Sequence, residues 1–151
     1  PSALTRLVDI GVKPFLVSAS VQSVIAQRLV RRLCKDCAQE YVPSEAELGA
    51  LGIAANVAAG RKFKRPKGCR ACEGTGYRGR VALFELFEMD HAIRELTFRG
   101  ESLDVIRSTA AGSGVLRSLL ADGARKVLRT ETSTTEVMRV VRLAAQWEQP
   151  A

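Results

Sequence analysis

Aromatic residues make up only 5% of this 151-residue sequence, and it has a single histidine, His91. No apolar run approaches the roughly 18–20 residues that a membrane-spanning helix needs, and no secretory signal pattern is present. There is no G-x-x-x-x-G-K-[ST] loop to cradle phosphates, and no acidic run after a strand to hold magnesium. By itself the chain is therefore not expected to hydrolyse a nucleotide. His91 falls at the start of a predicted helix and reads as a solvent-facing residue without a metal or catalytic role. Global disorder is excluded by 46% hydrophobic and 26% charged residues, with glycine and proline at ordinary levels. The length suits one domain or two small ones with a buried core. The chain opens on Pro1 in what reads as mid-helix, which suggests a piece of something longer.

The formal charge of +7 is concentrated in one place. Between positions 61 and 80 lie eight basic residues, Arg61, Lys62, Lys64, Arg65, Lys67, Arg70, Arg78 and Arg80, against one acid, Glu73. Outside that window basic and acidic residues balance. A patch of this kind attracts nucleic acid, anionic lipid or an acidic protein surface, and it also serves as a plain solvated loop. Nucleic-acid binders usually interleave aromatics with their basic residues, and here only Phe63 and Tyr77 are near.

Apolar periodicity predicts a helix over 3–10, and a second helical segment after Pro14 carrying Leu16, Val17, Val21, Val24 and Ile25. The stretch 28–33 is ambiguous between helix end and strand. Ser44 with Glu47, and Ser133 with Glu136, each read as a capping box that opens a helix. Residues 53–60 read as loop or helix end. The run 81–89, apolar on both alternating faces, predicts a strand buried on two sides. Asp90 is placed to cap a helix over 91–99, a further helix follows over 103–111, and Leu116, Leu119, Leu120, Val127 and Leu128 form a helical stripe. In the last helix Val137, Val140, Val141 and Ala144 point inward. The organisation is an α/β body, roughly 1–33 and 78–146, interrupted by a cysteine-bearing insert at 34–77.

The four cysteines form two CxxC pairs, Cys34–Cys37 and Cys69–Cys72. Each CxxC knuckle aims two sulfurs at one point, and two knuckles complete a tetrahedral four-thiolate site of the kind zinc prefers. A rubredoxin-like iron site is also compatible with the spacing. Two disulfides, a redox pair, or reduced cysteines without metal are the alternatives; structural disulfides fit poorly without a secretory signal, and redox CxxC motifs normally come singly. Four protein ligands leave no open position, so the site reads as scaffolding. A zinc tetrathiolate carries −2, which would bring the chain to about +5. Residues 69–76 fit CxxCxGxG, the repeat of DnaJ-type co-chaperones, but Cys34–Cys37 lacks the following glycines and a chaperone is rejected. A stand-alone nucleic-acid-binding zinc ribbon is the more serious rival.

Three stretches together resemble one family. Residues 2–34 (SALTRLVDIGVKPFLVSASVQSVIAQRLVRRLC), 66–89 (PKGCRACEGTGYRGRVALFELFEM) and 119–140 (LLADGARKVLRTETSTTEVMRV) are similar, in order, to the C-terminal part of type II secretion and type IV pilus assembly ATPases. The wording QRLVRRLC and GTGYRGR leans to the type II secretion branch, the general secretion pathway E proteins. The resemblance implies an α/β fold: the C-terminal part of a RecA-like P-loop ATPase domain with a tetracysteine zinc-binding insert and a helical C-terminal bundle. It implies a division into 1–33 (end of the ATPase core), 34–77 (zinc insert), 78–90 (returning core strand) and 91–151 (helical subdomain). Cys34, Cys37, Cys69 and Cys72 correspond to the family's zinc ligands. The parent implied is a homo-hexamer that uses ATP and Mg2+. It would sit peripherally at the cytoplasmic face of the inner membrane, drive pseudopilus assembly with inner-membrane platform proteins, and bind no nucleic acid. Arg80, with Arg78 as backup, is the candidate for a nucleotide or inter-subunit contact. Arg61, Lys62, Lys64, Arg65 and Lys67 are candidates for docking anionic lipid or an acidic partner. One departure is Thr130, where many relatives carry glycine.

Overall fold

The computed structural model describes residues 2–148; Pro1 and residues 149–151, the outer ends of the expected 1–33 and 91–151 segments, lie outside the described residues. The fold is mixed α/β and divides into two compact units, Pro1–Ala26 with Glu85–Ser118, and Gln27–Phe84 with Leu119–Ala151.

The first unit holds α1 (Ser2–Asp9), α2 (Pro14–Ser20), the start of β1 (Ser23–Leu33), the end of β4 (Tyr77–Glu88), α5 (His91–Phe98), α6 (Leu103–Ser113) and β5 (Leu116–Arg117). Pro14 begins α2, where its missing N–H costs nothing. The predicted helix through Ile25 is corrected: α2 stops at Ser20, Val21 is already extended (φ −73°, ψ 128°), and Ser23 opens β1. Val21, Val24 and Ile25 are β-branched, and a short apolar pattern of such residues fits a strand as readily as a helix. The ambiguous 28–33 stretch is the second half of that strand. Asp90 caps α5 by accepting from the Ile93 N–H, and Ser102 caps α6 through the Val105 N–H. Leu4, Val17, Phe87, Met89, Ile93 and Ile106 form this unit's core.

Strand order in the larger sheet is β1-β4-β5, with β4 and β5 antiparallel in the register Leu86↔Arg117 and Phe87↔Leu116. β4 is not buried on two sides as its composition suggests. Leu83, Glu85 and Phe87 alternate on a buried face, while Phe84 on the other face is 46% exposed. Phe84 is tied down instead by polar neighbours: its N–H donates to the Asp122 carboxylate and the Lys126 ammonium lies 5.8 Å from its ring.

The second unit contains the rest of β1 and β4, with β2 (Gln39–Tyr41), α3 (Glu45–Ala50), α4 (Ala55–Ala58), β3 (Phe63–Arg65), a 3-10 turn (Arg70–Cys72), α7 (Leu119–Leu128) and α8 (Thr134–Glu148). β2 and β3 pair antiparallel, Tyr41 opposite Phe63. Val30, Leu51, Phe63, Leu83, Val127 and Val137 lead its core. The Ser44 capping box is formed in both directions, and of the expected inward set Val137, Val140 and Ala144 are buried while Val141 is half-buried against the same core.

Two backbone positions fix how α7 meets α8. A Cβ on Gly123 would lie 2.4 Å from Val137 Cγ1, so the helices approach at a position only glycine allows. α7 ends in a Schellman turn: the Glu131 N–H donates to Lys126 O (2.9 Å) and the Thr130 N–H to Val127 O (2.8 Å). The residue that must turn left-handed is Thr130, at φ +57°, where a β-branched side chain is strained. Two substitutions are therefore expected to move stability in opposite directions. Thr130→Gly should stabilise by roughly 0.5–1 kcal/mol, and Gly123→Ala should destabilise by about 1–3 kcal/mol, both read from urea unfolding.

Candidate metal centre

Cys34 follows β1 directly, Cys37 ends the turn before β2, and Cys69 and Cys72 bracket the 3-10 turn before β4. The fold brings all four sulfurs within 4.8 Å of one another. Cys34 to Cys69 is 3.9 Å, Cys37 to Cys72 is 3.8 Å and Cys69 to Cys72 is 3.7 Å. A tetrahedron with metal–sulfur bonds of about 2.3 Å has edges of about 3.8 Å, so the sulfurs stand where one zinc-sized ion would be held by all four. These separations are too long for disulfides, whose S–S bond is about 2.05 Å, and all four cysteines are free thiols.

The second knuckle is built for a charged sulfur. Burial pushes the Cys72 thiol up, but the N–H groups of Cys69 and Gly76, each 3.2 Å from its sulfur, outweigh this and hold it at about 6. Burial raises Cys37 to about 11, against the opposing N–H of Gly68. The loop tolerates no side chain at two points. A Cβ on Gly68 would lie 2.4 Å from the Gly74 carbonyl oxygen, and one on Gly76 would lie 2.4 Å from Pro66 Cβ; both residues have positive φ. In the GTG stretch Gly76 thus serves close approach, and Gly74 and Gly76, both at positive φ, serve the left-handed turn of the knuckle.

Both knuckles hang from the α7–α8 turn. Leu33, one residue before Cys34, donates its N–H to Glu131 O (3.0 Å), and Thr132 Oγ1 donates to Arg31 O (2.8 Å). On the other side, Tyr77 follows the second knuckle and its hydroxyl meets Ser133 Oγ at 2.7 Å. Between them lies Glu136, with a fully buried side chain. Its carboxylate accepts from the Arg31 N–H (3.1 Å), the Arg31 guanidinium (2.7 Å), and twice from Arg139 (3.0 and 2.7 Å). The Arg31 guanidinium also stacks over the Tyr77 ring at 4.2 Å. Burial alone would raise the Glu136 carboxyl; the arginine bonds outweigh it and hold the group at about 2. The expected capping box at Ser133 is therefore only half formed. Ser133 Oγ does accept from the Glu136 N–H, but the Glu136 carboxylate is drawn across to Arg31 and Arg139.

The other candidate residues are dispersed. Arg78 and Arg80 are exposed, as is His91. In the 61–67 patch, Lys62 pairs with Glu40 (3.0 Å), Arg61 donates to Val57 O (3.1 Å), and the Arg65 guanidinium is 5.8 Å from the Tyr41 ring. Phe63 is in the core. The Arg31–Glu136–Arg139 cluster was not legible beforehand, because Ser-x-x-Glu reads locally as a cap and nothing marks Arg31 as its partner.

A mixed α/β chain whose two CxxC turns converge between adjacent strands is a module organised around one four-cysteine centre. The chain belongs to the type II/IV secretion system protein family, whose model matches residues 1–139. Type II secretion system protein E of Pseudomonas aeruginosa is 44% identical over 140 residues, 93% of this chain and 27% of that protein. The type IV pilus assembly ATPase PilB of Thermus thermophilus is 39% identical over 136 residues, 90% of this chain and 15% of that protein. The type IV pilus assembly ATPase TfpB of Acinetobacter baylyi is 38% identical over 143 residues, 95% of this chain and 24% of that protein. The chain thus spans about a quarter of the length of its type II secretion relative, 27%. Among the described residues no helix is long and apolar enough to cross a membrane.

Glu136→Gln should cost about 1.5–3 kcal/mol, since two half-exposed arginines lose their charge-assisted partner. In the unsubstituted chain the Glu136 contribution is fully present above its ordinary value of 4.5 and is lost as pH falls towards about 2. Urea midpoints measured across that window should fall with pH in the unsubstituted chain, and more shallowly in the variant.

Proposed function

We propose that this chain is the C-terminal, zinc-stabilised segment of a secretion ATPase of the general secretion pathway E type. The observation that carries the reading is the four-sulfur tetrahedron, set within a chain 44% identical to a type II secretion protein E. In this reading Cys34, Cys37, Cys69 and Cys72 bind one structural Zn2+. The parent is a RecA-like P-loop hexamer at the cytoplasmic face of the inner membrane, coupling ATP and Mg2+ to pseudopilus assembly through platform proteins. The parts divide as 1–33, end of the ATPase core; 34–77, zinc insert; 78–90, returning core strand; 91–151, helical subdomain. Zinc contributes folding free energy rather than chemistry, because a closed four-thiolate shell has no site for substrate or water.

Arg80 and Arg78, exposed beside the zinc insert, are proposed to reach a nucleotide or a neighbouring subunit in the hexamer. Arg61, Lys62, Lys64, Arg65 and Lys67 are proposed to dock an acidic surface, anionic lipid or platform protein. A nucleic-acid-binding ribbon is disfavoured by its aromatics: Phe63 is buried and the Tyr77 ring is covered by Arg31, so neither offers a free face for a base. A type IV pilus assembly role is the second reading, supported by PilB and TfpB at 39% and 38% identity.

Elemental analysis of the purified chain should give one zinc per chain, and Cys72→Ser should lose it. Loss of even about 3 kcal/mol on chelation lowers Tm by roughly 6–12 °C in a chain of this size. Iron with a visible thiolate absorption, or no bound metal, would refute the zinc assignment. In the full-length hexamer, Arg80→Ala should lower ATPase rate and assembly; unchanged values for both would remove Arg80 from the site. Co-sedimentation with anionic but not neutral vesicles, weakened by salt, is expected for the 61–67 patch, and equal binding to both would refute a lipid role.

A further inference from the structure

The 61–80 window does not contain all of the unpartnered positive charge. A recess of about 200 Å3 beside Cys34 is lined by Arg32, Lys35, Lys64 and Arg129, together with Thr130 and Glu131. These cations come from four separate places: the end of β1, the first knuckle, the middle of β3 and the residue after α7. Among the described residues none of the four has an ion-pair partner, whereas Lys62, Lys126, Arg31 and Arg139 all do. A second recess of about 230 Å3 shares Arg32 and Lys35 and adds Arg78 and Asp36.

We propose that the Arg32–Lys35–Lys64–Arg129 recess is a binding site for a small, soluble, phosphate-bearing anion of diphosphate size. Four cations face one acid, Glu131, and the Cys34 sulfur, so positive charge stays in excess on the recess wall until an anion enters, and the concave wall excludes part of the solvent that would otherwise screen it. Two guanidiniums supply planar forks for phosphate oxygens and two ammoniums supply point charges. At about 30 Å3 per water the volume suits one or two phosphate groups in place of a few waters. Thr130 adds a hydroxyl residue to the lining. Its left-handed backbone, φ +57°, is a strained position of the kind that persists where the surroundings enforce it, and it sets Arg129 and Glu131 on the same rim.

The cations have one competing use, which is to balance the charge of a metal tetrathiolate at Cys34. The two uses separate experimentally. Calorimetric titration of the zinc-loaded chain with pyrophosphate, at fixed ionic strength, should show saturable one-to-one binding. The double variant Arg32→Gln, Arg129→Gln should weaken it at least about tenfold, the effect of losing a charge-assisted contact. Arg6→Gln with Lys13→Gln, the same change of charge at two exposed positions of the first unit, should leave affinity unchanged. Lys35→Gln, a single exposed change in the knuckle, gives the same reading if the double variant does not fold. Absence of saturable heat, or equal weakening by the Arg6 and Lys13 pair, would overturn the site. Loss of zinc stoichiometry in the Arg32 and Arg129 variant, with pyrophosphate affinity unchanged, would assign the cations to the metal instead. Binding to phosphatidylglycerol vesicles without saturable pyrophosphate heat would assign them to a membrane surface.

Discussion

The second unit is organised around a carboxylate that has no access to water. Glu136 enters the interior at the first turn of α8, and four hydrogen bonds from Arg31 and Arg139 occupy both of its oxygens. A buried carboxylate without these partners would be an unpaired charge, so β1 and α8 are committed to one registry. That registry matters because the chain leaves β1 at Cys34 and returns through Tyr77, and both points are fastened to the same turn. Leu33 bonds Glu131, Thr132 bonds Arg31, and Tyr77 bonds Ser133 while supporting the Arg31 guanidinium. The two cysteine knuckles therefore meet because their roots are already held together by α8.

Seen this way, the sequence is legible wherever chemistry is local. The CxxC pairs, the Ser44 cap, the Asp90 cap and the inward face of α8 depend on residues within a turn of one another, and the structure contains all of them. Expectations failed where long-range partners decide. Val21, Val24 and Ile25 could satisfy either period, and it is pairing with the rest of the sheet that makes this segment strand. Ser133-x-x-Glu136 has the spacing of a reciprocal cap, yet a guanidinium more than a hundred positions earlier competes for the carboxylate and wins, because Arg31 and Arg139 bring opposite charge as well as several hydrogen bonds. Phe84 looked like core from composition, whereas its place on β4 turns it outward.

The charge account changes in the same way once partners are known. Lys62 is engaged by Glu40, and Arg65 lies against Tyr41. Lys64 is the only member of the 61–67 run that also lines the recess with Arg32, Lys35 and Arg129, three residues outside the window. The sequence clusters charge by position along the chain, but the β2–β3 pairing and the α7–α8 turn regroup it in space. What attracts an anion is this regrouped set, since Coulomb interactions follow distance and not sequence separation.

The knuckles also explain why a closed site belongs here. Residues 34–77 are close to the length, about 40 residues, at which a segment struggles to fold on its own core. Its regular pairing is two three-residue strands, and its largest buried side chains, Leu51 and Phe63, pack into a core shared with Val30, Leu83 and Val137. Beyond that shared core the tips of the knuckles have little apolar surface to bury. Gly68 and Gly76 let the backbone close around the sulfurs, at the cost of extra conformational freedom in the unfolded chain. The four sulfurs are compatible with a metal ion, and one held there would offset that entropy at the point where hydrophobic burial cannot reach. The cysteines are thus placed to complete, at the outer end of this segment of the second unit, what Glu136 begins at its root.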